Sequence, residues 1–171
     1  MKRVYIIGAI AMAFATGAGA ESKPIQVSLF NPVQMFDDKT AIAGLRVNLV
    51  YGLNTDMTGL DVGFVNHATG TLKGVQWGGI GIVGNGAGWQ FNYLANITRN
   101  EFNGLQTGVY NQLHKGKSVQ LGLFNFGDHM SGFQLGLFNS VESMHGLQIG
   151  LINIIHAKDM LPILPIVNWQ F

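Results

Sequence analysis

The chain has 171 residues, of which 47% are hydrophobic and only 11% charged, with a formal net charge of +1 and no cysteine. Disulfide scaffolds and thiolate metal sites are therefore excluded. There is no excess of basic charge to serve a nucleic-acid partner.

Lys2 and Arg3 begin the chain, Val4 to Phe14 form an apolar run, and Ala18-Gly19-Ala20 precedes Glu21. This order reads as a cleaved secretory signal peptide over residues 1–20. The apolar run is too short to span a bilayer as a helix. Removing the leader leaves eight basic against nine acidic residues, a formal charge of −1. Residues 21–171 are long enough for one domain. No stretch is rich enough in proline or charge to act as a linker.

From Gly44 to Asn153 one eight-residue phrase returns about every fourteen positions, and such a period governs the fold. Its sharpest copies are Gly132-Phe133-Gln134-Leu135-Gly136-Leu137-Phe138-Asn139 and Gly146-Leu147-Gln148-Ile149-Gly150-Leu151-Ile152-Asn153. Copies starting at Gly59, Gly104 and Ser118 are nearly complete. Those starting at Gly44, Gly74 and Gly88 are worn. Two more fit at the edges, Pro24 to Asn31 and Leu161 to Asn168, giving about ten strands.

Each copy alternates with a period of two, the pattern of a β-strand. One face carries Leu135 and Leu137, or Ile149 and Leu151. The other carries Gln76, Gln90, Gln106, Gln120, Gln134 and Gln148, the last four followed on the same face by Gly and then by Tyr110, Phe124, Phe138 and Ile152. Arg46 and Asp61 hold the glutamine position in neighbouring copies and are the two charges inside the eight central copies. The other charges fall between copies, with Gly, Asn and Asp, as turns require.

A leucine-rich face needs an apolar neighbour, and a closed barrel in lipid supplies one. The favoured expectation is an all-β, up-and-down antiparallel transmembrane barrel of about ten short strands. Arg46, Asp61 and the six glutamines would be lumenal, Arg46 pairing with Asp61 because unpaired charge in a narrow interior is costly. Leu135, Leu137, Ile149 and Leu151 would face lipid. The alternating apolar end of the chain, closing on Trp169 and Phe171, resembles the terminal signal of outer-membrane barrels. The expected partners are the outer-membrane bilayer and the barrel-assembly machinery. The expected role is structural, surface or anchoring, with a closed or very narrow lumen.

The alternative is a β-solenoid, each copy one coil, acting as a secreted binding module. Glutamines 76 to 148 and asparagines 66, 111, 125, 139 and 153 would then stack as ladders. Arg46 would lie directly against Asp61, whereas a meander sets them several residues out of register. The absence of long–short alternation between connections favours this reading. Fourteen residues are few for a closed coil, however, and Phe124, Phe138, Tyr110 and Ile152 would lie outside with almost no charge.

The phrases Val27-Ser28-Leu29-Phe30-Asn31-Pro32-Val33-Gln34, Gly44 to Asn54, and Pro162 to Phe171 carry a further likeness. With the Gly-Leu-Gln-x-Gly-Leu-x-Asn copies, they resemble a family of bacterial surface-repeat proteins named for a Leptospira type member. The resemblance covers most of the chain after residue 20. It implies an exported, surface-associated protein without an assigned activity, and no catalytic residues to transfer.

Signals for chemistry are sparse, and neither an enzyme nor a metal or cofactor is expected. His67, His114, His129, His145 and His156 are scattered over connections without ligand spacing. Asp37-Asp38 and Asp128-His129 could serve a rim hydrolase only by reaching a water over a barrel edge. No Gly-x-Ser-x-Gly elbow opens a helix. The Gly78-Gly79-Ile80-Gly81 run sits in no βαβ unit. Trp77, Trp89 and Trp169, with Tyr51, Tyr93 and Tyr110, are candidates for an interfacial girdle, although Trp77 and Trp89 lie mid-copy.

Overall fold

The computed structural model describes residues 22–171. The expected signal peptide lies outside them. The strands are β1 (Lys23–Phe30), β2 (Val33–Gln34), β3 (Ile42–Asn54), β4 (Met57–Thr107), β5 (Tyr110–Leu121), β6 (Phe124–Leu135), β7 (Phe138–Ile155) and β8 (Ile163–Gln170). They form one sheet in the order β2-β1-β3-β4-β5-β6-β7-β8.

Pairing from β1 through β7 is parallel and nearly in repeat register. Gln120 lies on Gln134, Asn125 on Asn139, and Gly132 on Gly146. The chain coils into a β-solenoid of about eight turns, which overturns the expected antiparallel barrel. Identical residues meet at identical heights only when successive copies run the same way. In a hairpin array the order reverses at every turn. Fourteen residues do complete a coil, because the stretches between copies are themselves largely extended. β4 runs unbroken through three of those stretches, so the Gly, Asn and Asp residues there do not mark hairpins.

The two ends depart from the repeat. β2 pairs with β1 antiparallel, and β8 pairs antiparallel with β7, placing Asn168 on Gln148 and Trp169 on Leu147. Each therefore covers the coil next to it with a reversed strand, which blunts the open sheet edge. The apolar alternation ending at Trp169 and Phe171 belongs to this cap strand and not to a barrel strand. The Phe171 side chain lies edge-on to the His145 ring at 5.7 Å.

The interior is partly apolar. Ile42 stacks on Met57 and Met130 on Met144, while Leu113, Val141 and Ile155 fill another inward column. The rest of the interior is amide. All six repeat glutamines and the asparagines at 66, 96, 111, 125, 139 and 153 are fully buried. The faces divide only in part as expected, because Phe124 and Ile152, placed with the glutamines by parity, turn outward beyond the bend. Glutamine points in, and Leu135, Leu137 and Leu151 point out, with Ile149 half-buried beside them. There is a stacked core where a lumen was expected.

The first position of the phrase explains one set of glycines. Gly132 has φ +139°, and a Cβ there would lie against the Ser118 carbonyl oxygen of the coil before it, well inside contact distance. Only glycine tolerates both conditions cheaply. Ser118, the exception in this column, is relieved by its neighbour. The positive φ moves to Gly116 (+149°), and the Ser118 hydroxyl donates to the Gly104 carbonyl at 3.0 Å. We predict that Gly132→Ala costs about 3 kcal/mol from backbone strain and overpacking. Ser118→Gly should cost about 1 kcal/mol or less. Urea unfolding of both variants checks this, and equal losses would contradict it.

Candidate binding surface and the polar interior that builds it

Two amide ladders run along the solenoid. Gln90 donates from Nε2 to Gln76 Oε1 (3.0 Å), Gln106 to Gln90 (2.9 Å), and Gln120 to Gln106 (2.9 Å). Gln134 donates to Gln120 (2.6 Å) and Gln148 to Gln134 (2.7 Å). A second proton of the amide crosses the interior in several coils, as from Gln120 to the Phe126 carbonyl at 3.0 Å. Each such glutamine ties its coil to the one before and one wall to the other.

The asparagines run the opposite way. Asn96 donates from Nδ2 to Asn111 Oδ1 (2.7 Å), Asn111 to Asn125 (2.8 Å), Asn125 to Asn139 (2.8 Å), and Asn139 to Asn153 (2.8 Å). Glutamine amides thus donate toward the N-terminal coils and asparagine amides toward the C-terminal coils. Their dipoles oppose each other, so neither ladder accumulates an uncompensated field along the stack. Gly136 and its equivalents leave room for the asparagines. A Cβ on Gly136 would meet the Asn125 amide.

The glutamine ladder begins at a carboxylate. Gln76 Nε2 donates to Asp61 Oδ2 at 2.9 Å, and Asn48 Nδ2 donates to Asp61 Oδ1 at 3.1 Å. Arg46 closes the other side with a bidentate pair, Nε to Oδ1 at 2.7 Å and Nη2 to Oδ2 at 2.6 Å. Its Nη1 donates to Asn54 Oδ1 (3.3 Å) and the His67 carbonyl (3.0 Å). Both side chains are wholly buried and directly in register. The pairing expected of Arg46 and Asp61 is present, in the direct stack that the solenoid alternative demanded. At the far end Gln148 Oε1 has no partner among the described residues.

Outside, the surface divides by position in the coil. The chain bends sharply at Gly108-Val109, Gly122-Leu123 and Gly136-Leu137, between consecutive strands. The second residue of each bend points outward at a convex corner. With Leu49, Phe64, Tyr93 and Leu151 these residues form an exposed apolar column. The most open are Leu151 at 67% and Leu49 at 63%. Walls on either side continue it, with Trp77, Trp89 and Leu135 on one and Phe30, Phe124 and Ile152 on the other. Trp77 and Trp89 stand on the wall, whereas Trp169 sits in β8 with Lys158 over its ring at 5.2 Å. Trp89 stacks on Phe91 at 5.4 Å.

All ten charged residues between Gly44 and Asn153 lie elsewhere. Arg46 and Asp61 are interior. The other eight, Asp56 through Glu142, occupy the eleventh to fifteenth positions after each copy begins, on the side away from the corner. There Lys115 approaches Glu101 at 3.6 Å and His114 meets Asp128 at 2.6 Å. His129 Nδ1 lies 2.7 Å from the Ser143 hydroxyl. Asp128 is therefore partnered with His114 and not with His129, so the pair considered for hydrolysis does not assemble. No helix of the described residues is long and apolar enough to cross a membrane. No three His, Asp or Glu side chains among them converge as a metal site.

Sequence reasoning placed His67 with the scattered connection histidines and missed its partly buried setting. Its Nδ1 lies 3.0 Å from the Tyr51 hydroxyl, and its Nε2 is buried without a partner. Burial first, then the charges of Arg99 and Arg46, hold its pKa below the usual 6.5. No family model, curated protein or solved structure matches the chain.

Two predictions follow from the interior. Arg46→Met should cost about 3–5 kcal/mol by leaving the Asp61 carboxylate without its cation. Arg46→Gln with Asp61→Gln should recover most of that loss by extending the amide ladder, as read by urea unfolding. Because the folded pKa of His67 lies below its unfolded value, its contribution is fully present above about pH 6.5 and lost as pH falls below it. Thermal melts should show this slope, reduced in His67→Gln; an unchanged slope would exclude His67 as its source.

Proposed function

We propose that this protein is an exported β-solenoid binding module whose working part is the uncharged convex edge. The observation that carries the reading is the inverted distribution of side chains. Amides fill much of the interior, while large apolar residues line one corner coil after coil. Scattered exposed leucines are ordinary, but a continuous apolar patch marks an interaction site.

The rest of the chain is consistent with such a role. The interior is closed by side chains, so the accessible features are on the surface. Reversed strands cover both terminal coils, leaving the flank as the broad surface available for contact. The leader-like residues 1–20 support export, and a hydrogen-bonded interior holds the fold together without disulfides. The position of the protein on or near the cell envelope would follow from what the edge binds.

The test is fractionation of cells expressing the protein. Wild type should be exported, begin at Glu21 after cleavage, and remain with the envelope fraction. The combined Leu123→Ser, Leu137→Ser and Leu151→Ser variant should be exported equally, melt within a few degrees of wild type, and shift to the soluble fraction. Identical fractionation of a folded variant would remove the edge as the binding surface. Retention of the chain in the cytoplasm would remove export.

A further inference from the structure

The shape of the edge, its backbone and its lack of charge together select one kind of occupant. We propose that the edge seats in the interfacial layer of a lipid bilayer, with its apex among the acyl chains. The solenoid would then lie on the membrane without crossing it. This rests on the reading of the edge as the binding surface.

The first argument is backbone satisfaction. Entry into hydrocarbon is costly for any unpaired N–H or C=O, and bends are where these usually occur. Here the bends bond from coil to coil. Val109 N donates to the Tyr93 carbonyl at 3.0 Å, Leu137 N to the Leu123 carbonyl at 3.0 Å, and Phe138 N to the same oxygen at 2.9 Å. Gly122 N and Gly136 N reach the carbonyls of Leu135 and Ile149 at 3.0 Å. Apart from the Leu123 N–H, these bends thus present side chains and a largely paired backbone. An open sheet lacks this property at its edges, and a barrel gains it only by closing.

The second argument is shape. A coil that returns every fourteen residues is convex at its corners, and the most exposed residues stand at the apex. About eight coils stacked at about 4.8 Å give a ridge about 40 Å long. Two rigid ridges touch along a line, far short of the roughly 800 Å² per partner that a stable protein interface buries. A fluid layer conforms to a ridge and covers both walls. Amphipathic helices lie in membrane interfaces with their apolar face buried about 5–10 Å in the same way.

The third argument is charge. The second to tenth positions of the central copies place no charge on the surface, and the basic and acidic side chains of the far side are mixed. Seating on lipid would therefore rest on apolar burial, not on attraction to anionic headgroups, and salt should affect it little.

The experiment is flotation of the purified protein with phosphatidylcholine vesicles at low and high salt. Wild type should float at both. Leu137→Glu with Leu151→Glu should reduce the bound fraction by about tenfold or more, because carboxylates enter the apolar layer at high cost. Lys115→Ala with Lys117→Ala should leave it unchanged. If the glutamate pair does not fold, Leu137→Ser with Leu151→Ser replaces it. In wild type, acyl-brominated lipid should quench the wall tryptophans Trp77 and Trp89. Binding confined to anionic vesicles and lost in salt would overturn the proposal in favour of the charged side. A dimer that dissociates on edge substitution, with no flotation, would overturn lipid as the occupant and leave the binding edge standing. A monomer that neither floats nor responds to these substitutions would overturn both.

Discussion

The amide-to-amide hydrogen bond between coils is the constraint from which the rest follows. A primary amide carries donors and acceptors on one flat group, so identical copies can bond in an endless row. They can do so only if successive strands are parallel and in register. Each bond contributes about 1 kcal/mol net, but a buried amide deprived of its partner costs more than that. Register slip by one residue would break the glutamine row, the asparagine row and the glycine contacts together. The ladders thus specify the alignment more strongly than they stabilise it.

That constraint also governs which residues face outward. Glutamine and asparagine take interior sites that aliphatic side chains fill in most cores, and the pleat then turns the alternating leucines to the surface. Closure of the coil in fourteen residues leaves little interior volume. The two amide rows share it with an apolar cluster that includes Phe102, Leu72, Leu113, Met130 and Ile155. Arg46 and Asp61 occupy an amide site as a matched ion pair with every neighbour hydrogen-bonded, so two charges replace two glutamines without leaving a polar atom of the pair exposed to apolar surroundings.

The period and the strand character were legible, and alternation set Gln134 inward and Leu135 outward whichever way the neighbours run; it failed beyond the bend, where Phe124 and Ile152 share the glutamine parity and yet turn outward. Strand direction is invisible to that same alternation, and Leu135 or Gln134 reads identically in a meander and in a coil. Two features did carry direction. One was the matching phase of glutamine and asparagine across copies, and the other was the shared position of Arg46 and Asp61. The barrel expectation outweighed them by requiring hydrocarbon all round the leucine face, and by taking the stretches around Lys73, Arg99 and Glu101 for turns when they continue as strand. The end of the chain misled for a related reason. β8 alternates like a barrel strand because it is a real strand with one face on the sheet, but it runs against β7 and closes the stack. His67 gave no signal at all, since its burial depends on the Tyr51 contact across a coil.

The same economy that makes the interior polar gives the exterior its character. An edge assembled from one residue per coil lengthens by one step with each copy, and its chemistry is uniform because the copies are alike. Charge is admitted only where it meets water or a partner, at positions eleven to fifteen and in the buried pair. A flank of this kind offers little discrimination between small ligands, since it has neither a deep pocket nor a convergent set of polar groups. On the proposed reading it would offer extended, direction-independent adhesion to something apolar and yielding. Sequence drift among worn copies, such as Gly79 where others carry a large apex side chain, weakens such a surface locally without abolishing it. The glutamine row beneath holds at the Gly79 coil, where Gln76 and Gln90 keep their places in the ladder, whereas the asparagine row is interrupted there by Gly81.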